Sequence, residues 1–510
     1  MPAAKEAGPT TALRRRLRVA LRAGMICVAG GLALCVLCLW WPSPSAPLPE
    51  AANSRLIVNA RIIDVRLGSA GSPTHVLVEA GRIVQVGPAV KAGAGVPVFD
   101  AAGGYLLPGF WDMHTHAFQL SPQLHFPVSV ANGITGTRDM MDCPQDRDSL
   151  IACVADKRRW TRLADTGRMT APRFVEVASF YFEDPAMTPA QAAARAAVYR
   201  ARGVDALKVY NKVAPATYLR LAAEARRLDM PLVGHLPKAV RLDDALQQGQ
   251  HSFEHAHLLA RHCFRDADHW RSGALDQLDP IELTERMVAG YDATACQRGI
   301  DAMRAAGSWW VPTHVTREED ARATDPSFLD DPRLAYLDPL SRWAYKDDLA
   351  ATAARYPGPR GHAALNRYFD HGLALTAAAY RAGVPVLVGT DTAIGGFRFH
   401  DEMALLVRAG LSPADVLRAA TLDAARYAGK EHEHGSVEVG MLADLVLLDA
   451  NPLEDIAHTR RIQAVFMGGR LHDRKHLDDL LAFARAQARS PAVAAKLVWG
   501  FLRSPVSAEL

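Results

Sequence analysis

LPGFWDMHTH, residues 107–116, ends an apolar run on two histidines spaced one residue apart. In a strand, residues i and i+2 share a face, so His114 and His116 reach one point. Strand-like runs of this kind recur along the chain: GFWDMHTH (109–116), GITGTRDM (133–140), RFVEVAS (173–179), ALKVY (206–210), PLVGH (231–235), SFEHA (252–256), WWVPT (309–313) and VPVLVGTD (384–391). Ala/Arg/Leu-rich helical stretches, or in places shorter connections, separate them, the pattern of βα units and a parallel sheet. Eight units predict a TIM (β/α)8 barrel over residues 108–429, an α/β fold whose chemistry sits at the C-terminal ends of its strands. An open doubly wound sheet is the alternative, but no Gly-rich nucleotide fingerprint follows the first run.

Several runs end on a potential metal ligand. Beyond His114 and His116, Lys208 lies in the fourth run, His235 ends the fifth, His255 lies in the sixth and Asp391 ends the eighth. A His-x-His pair alone is weak evidence for a metal. Six ligand-type residues at strand ends on one barrel face argue for one. Neighbouring residues have competing readings. Tyr210 either hydrogen-bonds a substrate carbonyl or packs. Arg138 is expected to pair with Asp139 or Asp142 rather than bind a substrate carboxylate. Asp112 points into the barrel to support a ligand or fill its bottom, and His314 is a candidate to enter the pocket. His251 and His257 are supporting or surface groups, and His400 is structural. The insertion 316–384 suits a lid or pocket wall, with Trp343, Tyr345 and Tyr356 as candidate apolar lining.

LPGFWDMHTH, then GHLP (234–237), SFEH (252–255) and VGTD (388–391), resembles the amidohydrolase superfamily in motif and order. The likeness extends through DEMALLVRAGLSPADVLRAATLDAARYAG (401–429) and GSVEVGMLADLVLLDANPL (435–453), so it covers roughly residues 55–475. It is nearest to the imidazolonepropionase-like and prolidase-like branch. Imidazolonepropionase itself is less similar, being mononuclear and without a residue like Lys208. The resemblance implies two divalent metal ions, with His114, His116 and Asp391 on the first, His235 and His255 on the second, and Lys208, carboxylated by CO2, bridging both. Histidine and carboxylate ligands suit Zn2+, with Mn2+, Co2+ or Fe2+ left open. It further implies a metal-bridging hydroxide as nucleophile and Asp391 as general base, acting on the C–N bond of a dipeptide, an N-acyl amino acid or a cyclic amide. The same site would serve an esterase, lactonase or phosphotriesterase, and a catalytically silent barrel acting as a binding module is a third reading.

Composition sets the outer limits. The 510 residues are 49% hydrophobic and 22% charged, with mean hydropathy −0.04, which fits a globular chain with a large core and excludes disorder or a fibrous repeat. The net charge of +3 is concentrated at the start, where residues 1–22 carry Lys5 and five arginines against Glu6. The rest is slightly acidic, without the basic face that nucleic acid requires. Residues 23–41 are uncharged and long enough to cross a bilayer. The basic segment 1–22 before them and the linker 42–52 after them place the body outside the cytoplasm, membrane-anchored or secreted. Length and Trp40-Trp41 favour an uncleaved anchor over a signal peptide. Short β runs at 53–107 and 430–475 suggest one small β-sandwich domain built from both chain ends, and 476–510 reads as a helical tail. Four cysteines remain in the body, Cys143, Cys153, Cys263 and Cys296. Sequential pairing is one of three possible connectivities, against four buried thiols.

Overall fold

In the computed structural model, which describes residues 25, 30, 31, 33, 34, 36–50 and 52–508, alternating apolar residues near the start of the body build a sheet. Its first strands are β1 (Ser54–Asp64), β2 (Ser69–Glu79), β3 (Arg82–Gly87), β4 (Val98–Asp100) and β5 (Tyr105–Pro108). Seven barrel strands follow: β6 (Phe110–Thr115), β7 (Ile134–Asp139), β8 (Arg173–Val177), β9 (Leu207–Val209), β10 (Leu232–Gly234), β11 (Ser252–Glu254) and β12 (Trp309–Val311). Late in the chain come β13 (Leu445–Leu448), β14 (Ile462–Met467) and β15 (Arg470–Asp473).

The two ends meet in one eight-stranded sheet, ordered β15-β14-β13-β5-β1-β2-β3 with β4 on β1. The strands of the domain expected from both chain ends are thus continuous, and its two halves also pack on one another, the rings of Phe99 on β4 and Phe466 on β14 meeting at 5.5 Å between centroids. β5 pairs antiparallel with β13 and parallel with β1, so both ends join edge to edge. Period-two alternation explains its two faces. Leu445 and Leu447 pack with Ile57, Val76 and Phe466, whereas Val446 and Leu448 face Val130, Phe399 and Leu417.

The barrel strands pair parallel as β6-β7-β8, β9-β10 and β11-β12. Further backbone hydrogen bonds close the gaps, among them Ser179 N to Ala206 O at 2.8 Å, His251 N to Leu232 O at 2.8 Å, and Leu387 N to Trp310 O at 2.9 Å. Met113 N donates to Val388 O at 2.9 Å, so residues 385–390 act as an eighth, irregular stave between β12 and β6. The chain therefore has a TIM-barrel-type α/β fold. Trp111, Met113, Val311, Leu387 and Tyr427 share one buried cluster. Two glycines permit close approach beside the site. A Cβ on Gly389 would lie 2.9 Å from His114 N, and one on Gly234, at φ +113°, would lie 2.3 Å from Val209 O.

The four body cysteines form disulfides Cys143–Cys153 and Cys263–Cys296. The second closes a separation of 33 residues, which constrains the unfolded chain by about 3–4 kcal/mol on a loop-entropy scale. The double variant Cys263→Ser/Cys296→Ser is expected to lose about that much in denaturant unfolding, and an unchanged midpoint would deny the bridge a stabilising role.

Of the segment 23–41, residues 23, 24, 26–29, 32 and 35 lie outside the described residues, as does the basic stretch 1–22. The described members from 25 to 40 are helical. Among the described residues no helix is long and apolar enough to cross a membrane. At the other end, helices Arg474–Ala488 and Pro491–Arg503 follow β15, the first burying Leu477 and Leu480 against the sheet.

Candidate metal centre

The C-terminal ends of β6, β10 and β11 and of the eighth stave converge on one point. His114 lies within β6 and His116 one residue past its end, their ring centroids 5.3 Å apart. His116 Nε2 is 3.0 Å from Asp391 Oδ1, His114 Nε2 is 3.5 Å from the same oxygen, and His255 Nε2 is 3.8 Å from Asp391 Oδ2. One ligand atom from each of His114, His116 and Asp391 falls within 4.8 Å of the others. His235 joins through His255, their Nε2 atoms 2.9 Å apart. Lys208 is buried on β9, paired in register with Val233 on β10, and Asp391 and Glu254 act on its ammonium electrostatically.

Three of the four imidazoles are held from behind, the exception being His116, whose Nδ1 is buried without a hydrogen-bond partner. His114 Nδ1 bonds Glu254 Oε2 at 3.0 Å, His235 Nδ1 bonds Asn211 Oδ1 at 2.9 Å, and His255 Nδ1 bonds Thr313 Oγ1 at 2.8 Å. A carboxylate and an amide oxygen only accept, so the first two bonds fix tautomers with Nδ1–H donating and Nε2 bare. The bare His114 Nε2 is buried without a hydrogen-bond partner. His255, Asp391 and Thr313 all have positive φ, at 71°, 49° and 45°. For a β-branched threonine this is a costly conformation, concentrated here where strands turn out of the barrel.

Burial depresses three of these imidazoles, and the carboxylate they face is held ionised. Burial lowers His235 well below the usual histidine range and His255 to about 3. Burial and then Lys208 lower His116. Burial raises the Asp391 carboxyl, but His114, His116 and His255 outweigh it and hold it ionised. Burial also lowers the Lys208 ammonium, which favours the free amine that carboxylation would need. Lone-pair nitrogens turned toward a carboxylate, with an orphaned Nε2 between them, fit a divalent cation of histidine-and-carboxylate preference.

Several neighbours differ from expectation. Arg138 pairs with neither Asp139 nor Asp142. It donates from Nη2 to both Glu254 oxygens, at 2.8 and 2.7 Å, while Asp139 is taken by Lys157 at 2.7 Å and Asp142 by Val154 N at 2.6 Å. His314 does not enter the site, being buried with Nε2 3.0 Å from Thr376 Oγ1. Asp112 accepts from Thr390 N and Oγ1, at 3.0 and 2.7 Å, which pins the residue before Asp391. His257 stacks on His255, and His251 packs on Tyr427. His400 is buried against Thr459. Tyr210 lies with its ring centroid 3.9 Å from that of His235. Within the insertion only Tyr345 of the three named aromatics lines the cavity beside the site. Trp343 is 62% exposed, and the Tyr356 hydroxyl lies 3.1 Å from Thr284 Oγ1.

Glu254, Asn211 and Thr313 were not singled out from sequence. All three sit at strand ends, the same positional signal that marked the ligands.

Comparison with known proteins places this geometry in context. An ochratoxinase from Aspergillus niger is 34% identical over 113 residues, 21% of this chain. That stretch spans only about a quarter of the relative's own length, 24%. Among solved structures, a bottromycin amidohydrolase superposes with TM-score 0.65 at 24% identity, covering 86% of this chain and 91% of that one. A putative prolidase from Bifidobacterium longum superposes with TM-score 0.60 at 21% identity, covering 86% and 100%. These two likenesses concern the fold. A family model described as the amidohydrolase family matches residues 209–472, more than half of the chain, from the end of β9 through β15. On that match, this chain belongs to the amidohydrolase family.

Proposed function

We propose that this chain hydrolyses the C–N bond of an amide in a small substrate, with His114, His116, Asp391, His235, His255 and carboxylated Lys208 holding two divalent ions, Zn2+ first among them. The observation that carries this reading is the orphaned, tautomer-locked His114 Nε2 facing Asp391 across 3.5 Å, with His116 and His255 beside the same carboxylate. Divalent ions held by these residues would supply an acidified water, its pKa lowered from 15.7 to about 7, and a Lewis acid for a carbonyl oxygen. Asp391, ionised and 22% exposed on its side chain, is placed to take the proton from the attacking water and return it to the leaving nitrogen. The new C–O bond replaces the C–N bond, and the amine leaves with that proton. Glu254, Asn211 and Thr313 keep three imidazoles aimed inward. The structural relatives, described as an amidohydrolase and a putative prolidase, agree with chemistry at C–N bonds. The basic flank of residues 23–41 and the two disulfides support a body exported to an oxidising compartment, anchored or secreted.

The test is metal analysis of the purified full chain after incubation with Zn2+ and bicarbonate, alongside hydrolysis of dipeptides and N-acyl amino acids. About two ions per chain and measurable turnover are expected, and absence of metal after that treatment would overturn the reading. Lys208→Ala is expected to hold about one ion or fewer and to lose roughly 100-fold or more in kcat/KM, at least the loss typical of displaced metal-supporting groups. Wild-type stoichiometry and rate in that variant would remove the lysine bridge.

A further inference from the structure

A cavity of about 390 Å3 opens beside the candidate centre, and His116 and Asp391 form part of its wall. Phe126 and Phe174 line it from within the body, Leu337 comes from the insertion between β12 and the eighth stave, and Ile394 and Phe397 follow Asp391. Its polar side chains are largely engaged with one another. Thr115 Oγ1 is 2.6 Å from Thr137 Oγ1, Ser121 Oγ is 2.9 Å from His125 Nδ1, and Asp112 is occupied by Thr390. Such a wall offers little to a polar ligand and excludes water in favour of apolar surface.

We infer that this cavity receives a bulky apolar group attached to the scissile amide, so that the substrate class is amides carrying an extended alkyl or aryl group rather than small polar dipeptides. The inference rests on the hydrolytic reading above for the position of the amide, but the cavity's selectivity can be tested without turnover. An apolar cavity of about 150 Å3 holds benzene, so about 390 Å3 has room for roughly ten to fifteen carbon atoms. Continuity with His116 and Asp391 places the reacting carbon at the cavity mouth and the apolar group inside. That group belongs to either the acyl or the amine half of the substrate, and both halves are testable.

Two substrate series on the Zn2+-loaded full chain separate these sources: N-acylglycines of increasing chain length, and N-acetyl amino acids of increasing apolar side chain. In one series kcat/KM is expected to rise about fourfold per added methylene, equivalent to about 0.8 kcal/mol, until the cavity is full and then to fall. Calorimetric binding of n-alkanoates and n-alkylamines provides the turnover-free readout, with the same length dependence expected in one of the two. Ala344→Trp, at the cavity rim on the insertion helix Pro339–Arg355, is expected to shorten the optimal length, and Ile394→Ala to extend it. Affinity and kcat/KM independent of length, or an optimum unmoved in both variants, would overturn the inference. Length-dependent binding without hydrolysis of any substrate would uphold the cavity and sink the hydrolytic reading. Hydrolysis of N-acetylglycine with no length dependence would do the reverse.

Discussion

Asp391→Asn is expected to lower kcat by about a thousandfold or more while most of the bound metal remains. Loss of a positioned general base or acid costs 10²- to 10⁴-fold, and on the proposed mechanism one carboxylate would serve both proton transfers. Asparagine is nearly isosteric, and it is among the few residues other than glycine that readily adopt positive φ, so the backbone at +49° is retained. The hydrogen bond from Asp391 N to His114 O, at 2.9 Å, uses no side-chain atom and also survives. What disappears is the anion that His114, His116 and His255 hold ionised, and with it the proposed proton acceptor. On the proposed reading four imidazoles and Lys208 would remain as ligands, so metal content is expected to fall little. Steady-state rates with metal analysis of the same preparation check this, and an unchanged kcat would remove Asp391 from the proton path.

Much of this arrangement was readable because barrel enzymes use strand ends for chemistry, and strand ends are visible as apolar runs closing on a polar residue. His114, His235, His255 and Asp391 each stood at such an ending, and the structure gathers them. Lys208, one residue before the end of β9, could be placed at the same level for the same reason. The Arg138–Glu254 pair was not readable. It crosses the barrel interior between β7 and β11, joining residues 116 positions apart, whereas sequence inspection weighs the nearest acids, Asp139 and Asp142. Those turn to Lys157 and Val154 instead, because alternate strand residues face opposite sides and Arg138 and Asp139 cannot share one. One domain from both chain ends was legible, but the strand order that joins them through β5 was not, for a related reason. Alternation reports which residues are buried but not which strand edges meet, and β5 supplies both edges. In the insertion, aromatic composition could not separate cavity from surface. Trp343 and Tyr345 lie two apart on one helix, which rotates them to different faces.

The interior pair carries the second large effect, and it separates stability from catalysis. Arg138 is fully buried, donating to Glu254, to Ser252 Oγ at 3.0 Å, to the Tyr427 hydroxyl at 2.8 Å and, from Nε, to Met113 O at 2.6 Å. Glu254 in turn accepts from His114 Nδ1. Arg138→Leu leaves the carboxylate buried and without its partner cation, so a loss of about 3–5 kcal/mol is expected in denaturant unfolding. Replacing both partners, Arg138→Leu/Glu254→Leu, removes the stranded charge and is expected to recover most of that stability, since buried ion pairs often give way to apolar residues without net cost. Activity is not expected to recover. The double variant has no acceptor for His114 Nδ1, so that imidazole loses both its tautomer and its aim, at a cost of about 10- to 100-fold in metal affinity or kcat/KM. A double variant that regained full activity together with its stability would show that Glu254 serves only the barrel core and that His114 finds its orientation from the strand alone.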